Sequence, residues 1–537
     1  MLDRDLVLPH TIARRAEADP GRVCIQEVDG RTFTYGELHE AVLTWADALR
    51  RLGVGSEDTV ATMFPNTADS FLAWLACGWL RAFEVPINTM YRGRMLEYIL
   101  TNSRARTLVF AEEYLPQLAD VAGALEHAER VVVPDLSGEP PDLPFPVLGP
   151  GDFLAGAAPA ADLEGPAHHD VCCIIYTSGT TGPAKGVLMP WAELYTGFLG
   201  AVPEDSLVPE GAYYSALPTF HVGGKISVYL AAVRNARVVL REKFSLTEFW
   251  DDVHRYGCTT TGLIGMMAQL LLTLPARPDD ADNPLHRIQT GPLFPEVDEF
   301  ERRFGLDVFT GYGMTEIGAP TFMTSAQRRD WRSCGLVRPG YELRIVDEYD
   351  EEVPVGEVGE LIVRTAEPWL LNSGYFANPE ATARSWRNGW FHTGDGFRRD
   401  EEGFYYFVDR LKDAMRKKGE NISSLEVEGY VREHPAVLEV AAVAAPSDFG
   451  HGEDEVKVVV VPAPGAELDP AELVAFLEPR MPRFMLPRFV EVVSELPKTQ
   501  TQRIRKVELR TETLNERTWD RERGRDLTAE EAAGASG

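Results

Sequence analysis

The stretch YTSGTTGPAKGV, residues 176–187, decides how the rest of the chain reads. The apolar run DVCCII before it reads as a short strand. The loop then supplies Thr177, Ser178, Gly179, Thr180, Thr181 and Gly182, and closes on Lys185-Gly186. Small residues let backbone come close to a ligand, and glycines allow turns that expose successive N–H groups. Hydroxyls and a lysine add donors. This composition is a cradle for phosphate, although the GxxxxGK[ST] spacing of a Walker loop is absent. A plain Gly/Thr turn is the bland alternative, and twelve residues of this kind behind a strand argue against it.

Outward from that loop, short β-branched runs alternate with helical stretches. DTVATMF, AFEVPIN, RTLVFA, RVVVPD and ARVVLREKF read as strands, the pattern of an α/β protein with largely parallel sheets. RTFTYGEL reads as a turn before the amphipathic helix HEAVLTWADALRRLG, where Val42, Trp45, Ala46 and Leu49 recur at helical spacing. Residues 136–168, rich in Pro, Gly and Ala, read as a surface connection between lobes. SFLAWLACGWLRAFEVPI (70–87) carries Arg81 and Glu84 and is too short and charged to span a bilayer; it reads as a buried helix leading into a strand.

A chain of 537 residues exceeds one compact core, so at least two domains are expected. The net charge of −30 argues against nucleic acid or an anionic membrane held by a general basic field. Six scattered cysteines without a CxxC fit a reducing, cytoplasmic setting and no structural zinc. MLDRDLVLPH puts acids where a secretory signal would be basic and then apolar, so none is expected. Composition shifts near 409–421, and the following residues read as a small α+β unit. The charged, then small and polar, tail over 516–537 is expected to be poorly ordered.

Three further stretches suit the phosphate cradle. LPTFHVGG (217–224) sets His221 beside an aromatic and two glycines. VFTGYGMTE (308–316) runs from a strand into a tight turn presenting Tyr312, Thr315 and Glu316. WFHTGDGF (390–397) presents His392, Thr393 and Asp395. Glu316 beside a triphosphate is a natural Mg²⁺ ligand, and an acid such as Asp395 at a strand end can hold both ribose hydroxyls. Each has a bland alternative: a core histidine, a helix-start charge, a turn acid.

In their order along the chain these motifs resemble the superfamily of adenylate-forming enzymes, which includes acyl- and aryl-CoA synthetases, adenylation domains of nonribosomal peptide synthetases, and luciferases. The resemblance runs from about residue 10 to about residue 512. GENISSLEVE and RMPRFMLPRFVEVVSELPKT look most like CoA ligases of the carnitine/crotonobetaine and medium-chain acyl type.

The resemblance implies a large domain over 1–409, with αβαβα-type lobes and a β-barrel-like subdomain. A small mobile α+β domain over 410–515 follows, hinged near Lys412. It implies ATP with Mg²⁺, a small carboxylate or related anion, and CoA or another small acceptor, in a monomer or homodimer. Residues 177–186 would hold the β- and γ-phosphates, with Thr181 and Glu316 toward the metal and Thr315 at the α-phosphate. Gly291, Pro292 and Tyr312 would line the adenine site, and Asp395 and Arg410 would hold the ribose. The acyl pocket would draw on Phe220, His221, Gly223, Lys225, Ile264, Met266, Gly311 and Gly313. Gly419, Glu420 and Asn421 would face the acceptor.

The chain departs from the family pattern PKTxTGKI, reading Pro497-Lys498-Thr499-Gln500-Thr501-Gln502-Arg503-Ile504. Arg503 stands where the family has the lysine that bridges carboxylate and α-phosphate, and Gln502 stands where it has glycine. Arginine keeps the charge but is bulkier, planar and forked. Either Arg503 does the lysine's job, or Lys498 or Lys506 reaches in, or the nucleophile that attacks ATP differs. Lys225 either neutralises a second anion on the substrate or snorkels to solvent, and Ala184 replaces a usual proline. An acid–CoA ligase is the leading expectation. Amide synthesis or nitrite activation toward an aryl amine is the second, and a nucleotide sensor without catalysis is the third.

Overall fold

The computed structural model describes residues 6–177, 184–410, 415–417, 420–447, 454–483, 485–498, 504–511 and 513–534. Strand Val171–Thr177 is buried along its interior, as a strand covered on both faces of a parallel sheet must be. It belongs to a seven-stranded sheet ordered 147–148, 130–132, 107–110, 59–63, 83–86, 171–177, 185–190. All pairs are parallel except the last. A second seven-stranded sheet runs 307–309, 287–291, 260–264, 212–215, 237–240, 23–27, 32–34 and is again antiparallel only at its final pair.

Helices Leu8–Ala18, Tyr35–Arg51, Ala68–Trp79 and Val222–Arg234 share one core with residues of both sheets, such as Ile25 and Cys172. The outer faces carry their own clusters, around Phe249, Phe300 and Phe304 on one side and Leu96, Leu100 and Leu115 on the other. The result is the expected αβαβα layering.

A third, antiparallel sheet follows, ordered 321–322, 333–337, 405–410, 390–399, 359–365, 341–346, with 386–387 on 390–399. Beyond it the hairpin of Met415–Lys417 and Glu420–Ile422 leads into a smaller sheet, ordered 437–446, 454–462, 489–492, 518–520, 525–526. Helices Ser424–Arg432 and Pro470–Leu477 pack on it.

Three expectations are corrected. Residues 136–168 do not join lobes: Val147–Leu148 pairs with Arg130–Val132, and the segment returns to Val171–Thr177 in the same sheet. The helix expected from residue 39 begins at Tyr35, because Thr34 and Glu37 close a reciprocal capping box. The tail is ordered through residue 534. Thr518–Asp520 pairs with Phe489–Val492, burying Thr518 and Asp520 completely, and a helix spans Ala529–Gly534. Its charge misled because Asp520 faces Arg488 at 3.4 Å inside the protein. Segment 70–87 is the buried helix and strand expected, and no helix among the described residues is long and apolar enough to cross a membrane.

Candidate active site

Parallel α/β sheets place ligands at the carboxyl ends of their strands, and LPTFHVGG, following Ala212–Ser215, and the Glu316 turn, following Asp307–Phe309, lie there. Ile264 and Gly291 end adjacent strands in register, and Asp307–Phe309 runs beside them into the turn bearing Tyr312, Thr315 and Glu316. Gly311 is required by close approach, since a Cβ there would meet the Thr321 carbonyl. His221 opens helix Val222–Arg234 with its ring 4.8 Å from that of Phe220, and Gly223 is half-buried beside it. Met266 is half exposed in the first turn of helix Gly265–Thr273, which follows the strand ending at Ile264.

Thr177 and Lys185 pair across the antiparallel strands that flank the phosphate loop. The remaining loop calls, Ser178, Gly179, Thr180, Thr181 and Gly182, lie outside the described residues. Lys185 Nζ stands 4.8 Å over the Tyr375 ring, and Tyr375 donates its hydroxyl to Glu316 Oε1 at 3.1 Å. Burial pushes the Glu316 pKa up, and Tyr375, Arg410 and Lys185 pull it back. Lys185 and Glu316 are thus joined by a tyrosine that no motif singled out.

Asp395 is not at a strand end as expected. It lies within Trp390–Arg399, paired with Arg410 across the ladder beside an irregularity in register. The Tyr312 hydroxyl donates to its Oδ2 at 2.7 Å, and Arg410 Nε stands 3.4 Å from Oδ1. Phe397 and Phe407 wall the Tyr312 ring at 4.7 and 6.5 Å. Tyr312, Asp395 and Arg410 therefore form one cluster. His392 bonds Glu360 at 2.9 Å within the sheet and is occupied structurally.

Lys225 meets neither expectation. It is 1% exposed, so it does not snorkel, and Glu84 neutralises it at 2.5 Å. Its charge is answered inside the protein rather than by a second substrate anion.

Glu193 was missed altogether. It sits fully buried on the π-helical turn Glu193–Phe198, and among the described residues neither carboxyl oxygen has a hydrogen-bond partner. Burial raises its pKa strongly, and nearby Glu316 adds to that. Arg338 ties this turn to the Glu316 turn by donating to the carbonyls of Thr196, Gly197 and Ala319. An acid within the otherwise apolar run VLMPWAEL is the signal that was available.

In the small domain, Lys498 pairs with Glu439 at 2.6 Å and Lys506 with Glu428 at 2.7 Å. Both proposed stand-ins for the family lysine already have carboxylate partners. Arg503, Lys412 and Gly419 lie outside the described residues. The backbone of Glu420 and Asn421 forms the strand Glu420–Ile422.

No set of three or more His, Cys, Asp or Glu side chains able to hold an ion occurs among the described residues. Glu316 offers one carboxylate, which suits Mg²⁺ held mainly by a triphosphate and water.

The fold and the grouping of Lys185, Glu316, Tyr312, Asp395 and Arg410 agree with what comparison with known proteins shows, an ATP-dependent, AMP-forming ligase. The chain belongs to the AMP-binding enzyme family: the family model matches residues 12–376, and that of the AMP-binding enzyme C-terminal domain matches 426–503. The crotonobetaine/carnitine–CoA ligase of Citrobacter koseri is 32% identical over 495 residues, covering 89% of this chain and 93% of that one. ATP-bound MatB from Rhodopseudomonas palustris superposes with a TM-score of 0.81 at 25% identity, over 94% of this chain and 98% of that one. The O-succinylbenzoate CoA synthetase of Bacillus subtilis, in complex with ATP and magnesium ion, has the same fold. Its TM-score is 0.79 at 24% identity, over 93% and 98% of the two chains.

Proposed function

We propose that this protein joins a small carboxylic acid to ATP, releasing pyrophosphate, and passes the acyl group from the adenylate to CoA. The observation that carries the reading is the Asp395 carboxylate, buried and held by Tyr312 and Arg410 within reach of the Glu316 turn. It suits a ribose beside a triphosphate. The CoA-ligating relatives support CoA as acceptor.

The chemistry opposes two anions, the carboxylate and the α-phosphate, so the protein must neutralise both and hold them in line. Lys185 and the loop 177–186 meet the β- and γ-phosphates, and Thr315 the α-phosphate. Glu316 and Thr181 would hold Mg²⁺, which would supply charge neutralisation for a departing pyrophosphate. Tyr312, Asp395 and Arg410 fix the nucleoside. His221, Phe220, Gly223, Ile264, Met266, Gly311 and Gly313 border the acyl side. Arg503 supplies the cation between carboxylate and α-phosphate, because Lys498 and Lys506 are each neutralised by a glutamate. The small domain that starts at residue 410 and takes in the strand Thr518–Asp520 turns near Lys412 and then brings Gly419, Glu420 and Asn421 to the acceptor.

A second reading, a non-CoA acceptor or an unusual nucleophile, is favoured by Gln502-Arg503 in place of the family's glycine and lysine. Lys225, paired with Glu84, adds nothing to it. AMP release measured across a panel of acids, with CoA, amines or nitrite, tests both readings. A thioester with CoA supports the first; AMP release that needs an amine or nitrite supports the second.

A further inference from the structure

The strand that carries Arg410 ends in a series of buried polar contacts with Ser423 and Ser424 of GENISSLEVE, none of which had a role assigned from the sequence. Asp409 is 5% exposed, and its two oxygens work in different directions. Oδ1 accepts the Arg410 N–H at 2.7 Å. Oδ2 accepts the Ser424 N–H at 2.7 Å and the Ser424 hydroxyl at 2.5 Å. The Ser423 hydroxyl also donates to the Val408 carbonyl at 3.0 Å. The first turn of helix Ser424–Arg432 therefore sits on the strand end, with a carboxylate at the positive end of its dipole.

One turn further, Glu428 is 2% exposed, accepts the Ala442 N–H at 3.0 Å and pairs with Lys506. The same ammonium bonds the Ser424 hydroxyl. That hydroxyl has one proton, already given to Asp409, so it is an oxygen lone pair that Lys506 meets. Lys506 closes the basic stretch ELPKTQTQRIRK (495–506), which also carries Lys498, Arg503 and Arg505. The Arg505 N–H donates to the Pro497 carbonyl at 2.7 Å, and Ile504 bridges to Lys498. Polar contacts thus run from Tyr312 and Asp395 through Arg410, Asp409 and Ser424 to Lys506. A buried ion pair adds little to stability but defines geometry, so its value here lies in what it aligns.

We propose that Lys506 is a positioning residue. Through Ser424 and Asp409 it ties the basic stretch to the nucleotide-binding strand end, and so sets the partition between adenylate formation and acyl transfer. This rests on the two-step reading above. The test compares wild type with Lys506→Met, Ser424→Ala and Lys506→Arg. Pyrophosphate exchange and thioester formation are assayed separately, and hydrogen exchange over residues 424–432 is followed with and without ATP. Lys506→Met and Ser424→Ala should change the ratio of the two rates by roughly tenfold, the size of an ordinary coupling. Lys506→Arg should restore it. ATP should alter exchange over 424–432 in wild type but not in Lys506→Met. Rates that fall together or stay unchanged overturn the proposal, as does an ATP response that is absent from wild type or survives in Lys506→Met. Should wild type form no thioester, the two-step reading falls while the exchange measurement still decides the coupling.

Discussion

Lys225 and Glu84, 141 residues apart in the chain, form an ion pair of 2.5 Å with side chains 1% and 2% exposed. Thr62 donates to the other Glu84 oxygen at 2.9 Å, and the ammonium lies 4.2 Å from the Trp74 ring. The pair joins the helix that begins at His221 to the strand beside Val171–Thr177. Lys225→Met should cost about 3–5 kcal/mol in denaturant unfolding, because it strands a buried carboxylate. Lys225→Met with Glu84→Leu should recover most of that loss. Acid preference should be the same in the double variant as in wild type. A selective loss of diacids would return Lys225 to the substrate pocket.

Asp395 should govern recognition of the ribose. Asp395→Asn should weaken ATP binding and abolish discrimination between ATP and its 2′-deoxy analogue in a nucleotide titration. Tyr312→Phe removes one hydrogen bond to the Asp395 carboxylate and should cost about 1.5–3 kcal/mol in denaturant unfolding. Unchanged discrimination in Asp395→Asn would remove Asp395 from the site.

Glu193 should make stability fall as pH rises. Burial holds its carboxyl protonated in the folded protein at pH values where the unfolded chain, with a pKa of about 4.3, has already ionised. The stabilising contribution is complete below the unfolded value and is lost as pH rises toward the folded one, by up to about 1.4 kcal/mol per pH unit. Glu193→Gln should therefore raise the melting temperature more at pH 8 than at pH 5. Equal shifts at both would show an ionised carboxylate.

The strand Thr518–Asp520 should be integral to the small domain. Asp520 is fully buried against Arg488, so Asp520→Ala should cost about 3–5 kcal/mol, and ending the chain at residue 515 at least as much. Thermal unfolding followed at Trp519 in the point variant reports it. An unchanged midpoint would make these residues an accessory tail.

Local chemistry was legible and distant pairing was not. His221, Tyr312, Glu316 and Asp395 stand in short runs whose glycines and hydroxyls are needed where a nucleotide meets backbone. The layered α/β fold followed from β-branched strands spaced by amphipathic helices. Lys225, on helix Val222–Arg234, was misread because its partner Glu84 lies on a strand 141 residues away, and sequence spacing carries no information about that encounter. Tyr375 sits in no pattern, yet it joins Lys185 to Glu316. Asp520 looked like a solvated acid because the arginine it neutralises, Arg488, stands 32 residues earlier, just before strand Phe489–Val492. The capping signal Thr34-Tyr35-Gly36-Glu37 was present and would have set the helix start correctly.

Arg503 should be the cation of adenylate formation. Arg503→Ala should lower pyrophosphate release about 10²–10³-fold, the usual cost of one well-placed electrostatic contact. Lys498→Ala should cost much less, since Glu439 already holds that lysine. The reverse order would assign the role to Lys498.

The most direct test of the account is a product analysis of the purified protein with ATP, Mg²⁺, CoA and a panel of carboxylic acids. The account predicts AMP, pyrophosphate and a CoA thioester in equal amounts with at least one acid, all lost in Asp395→Asn. ADP in place of AMP, or AMP release that no acid with CoA supports, would contradict it.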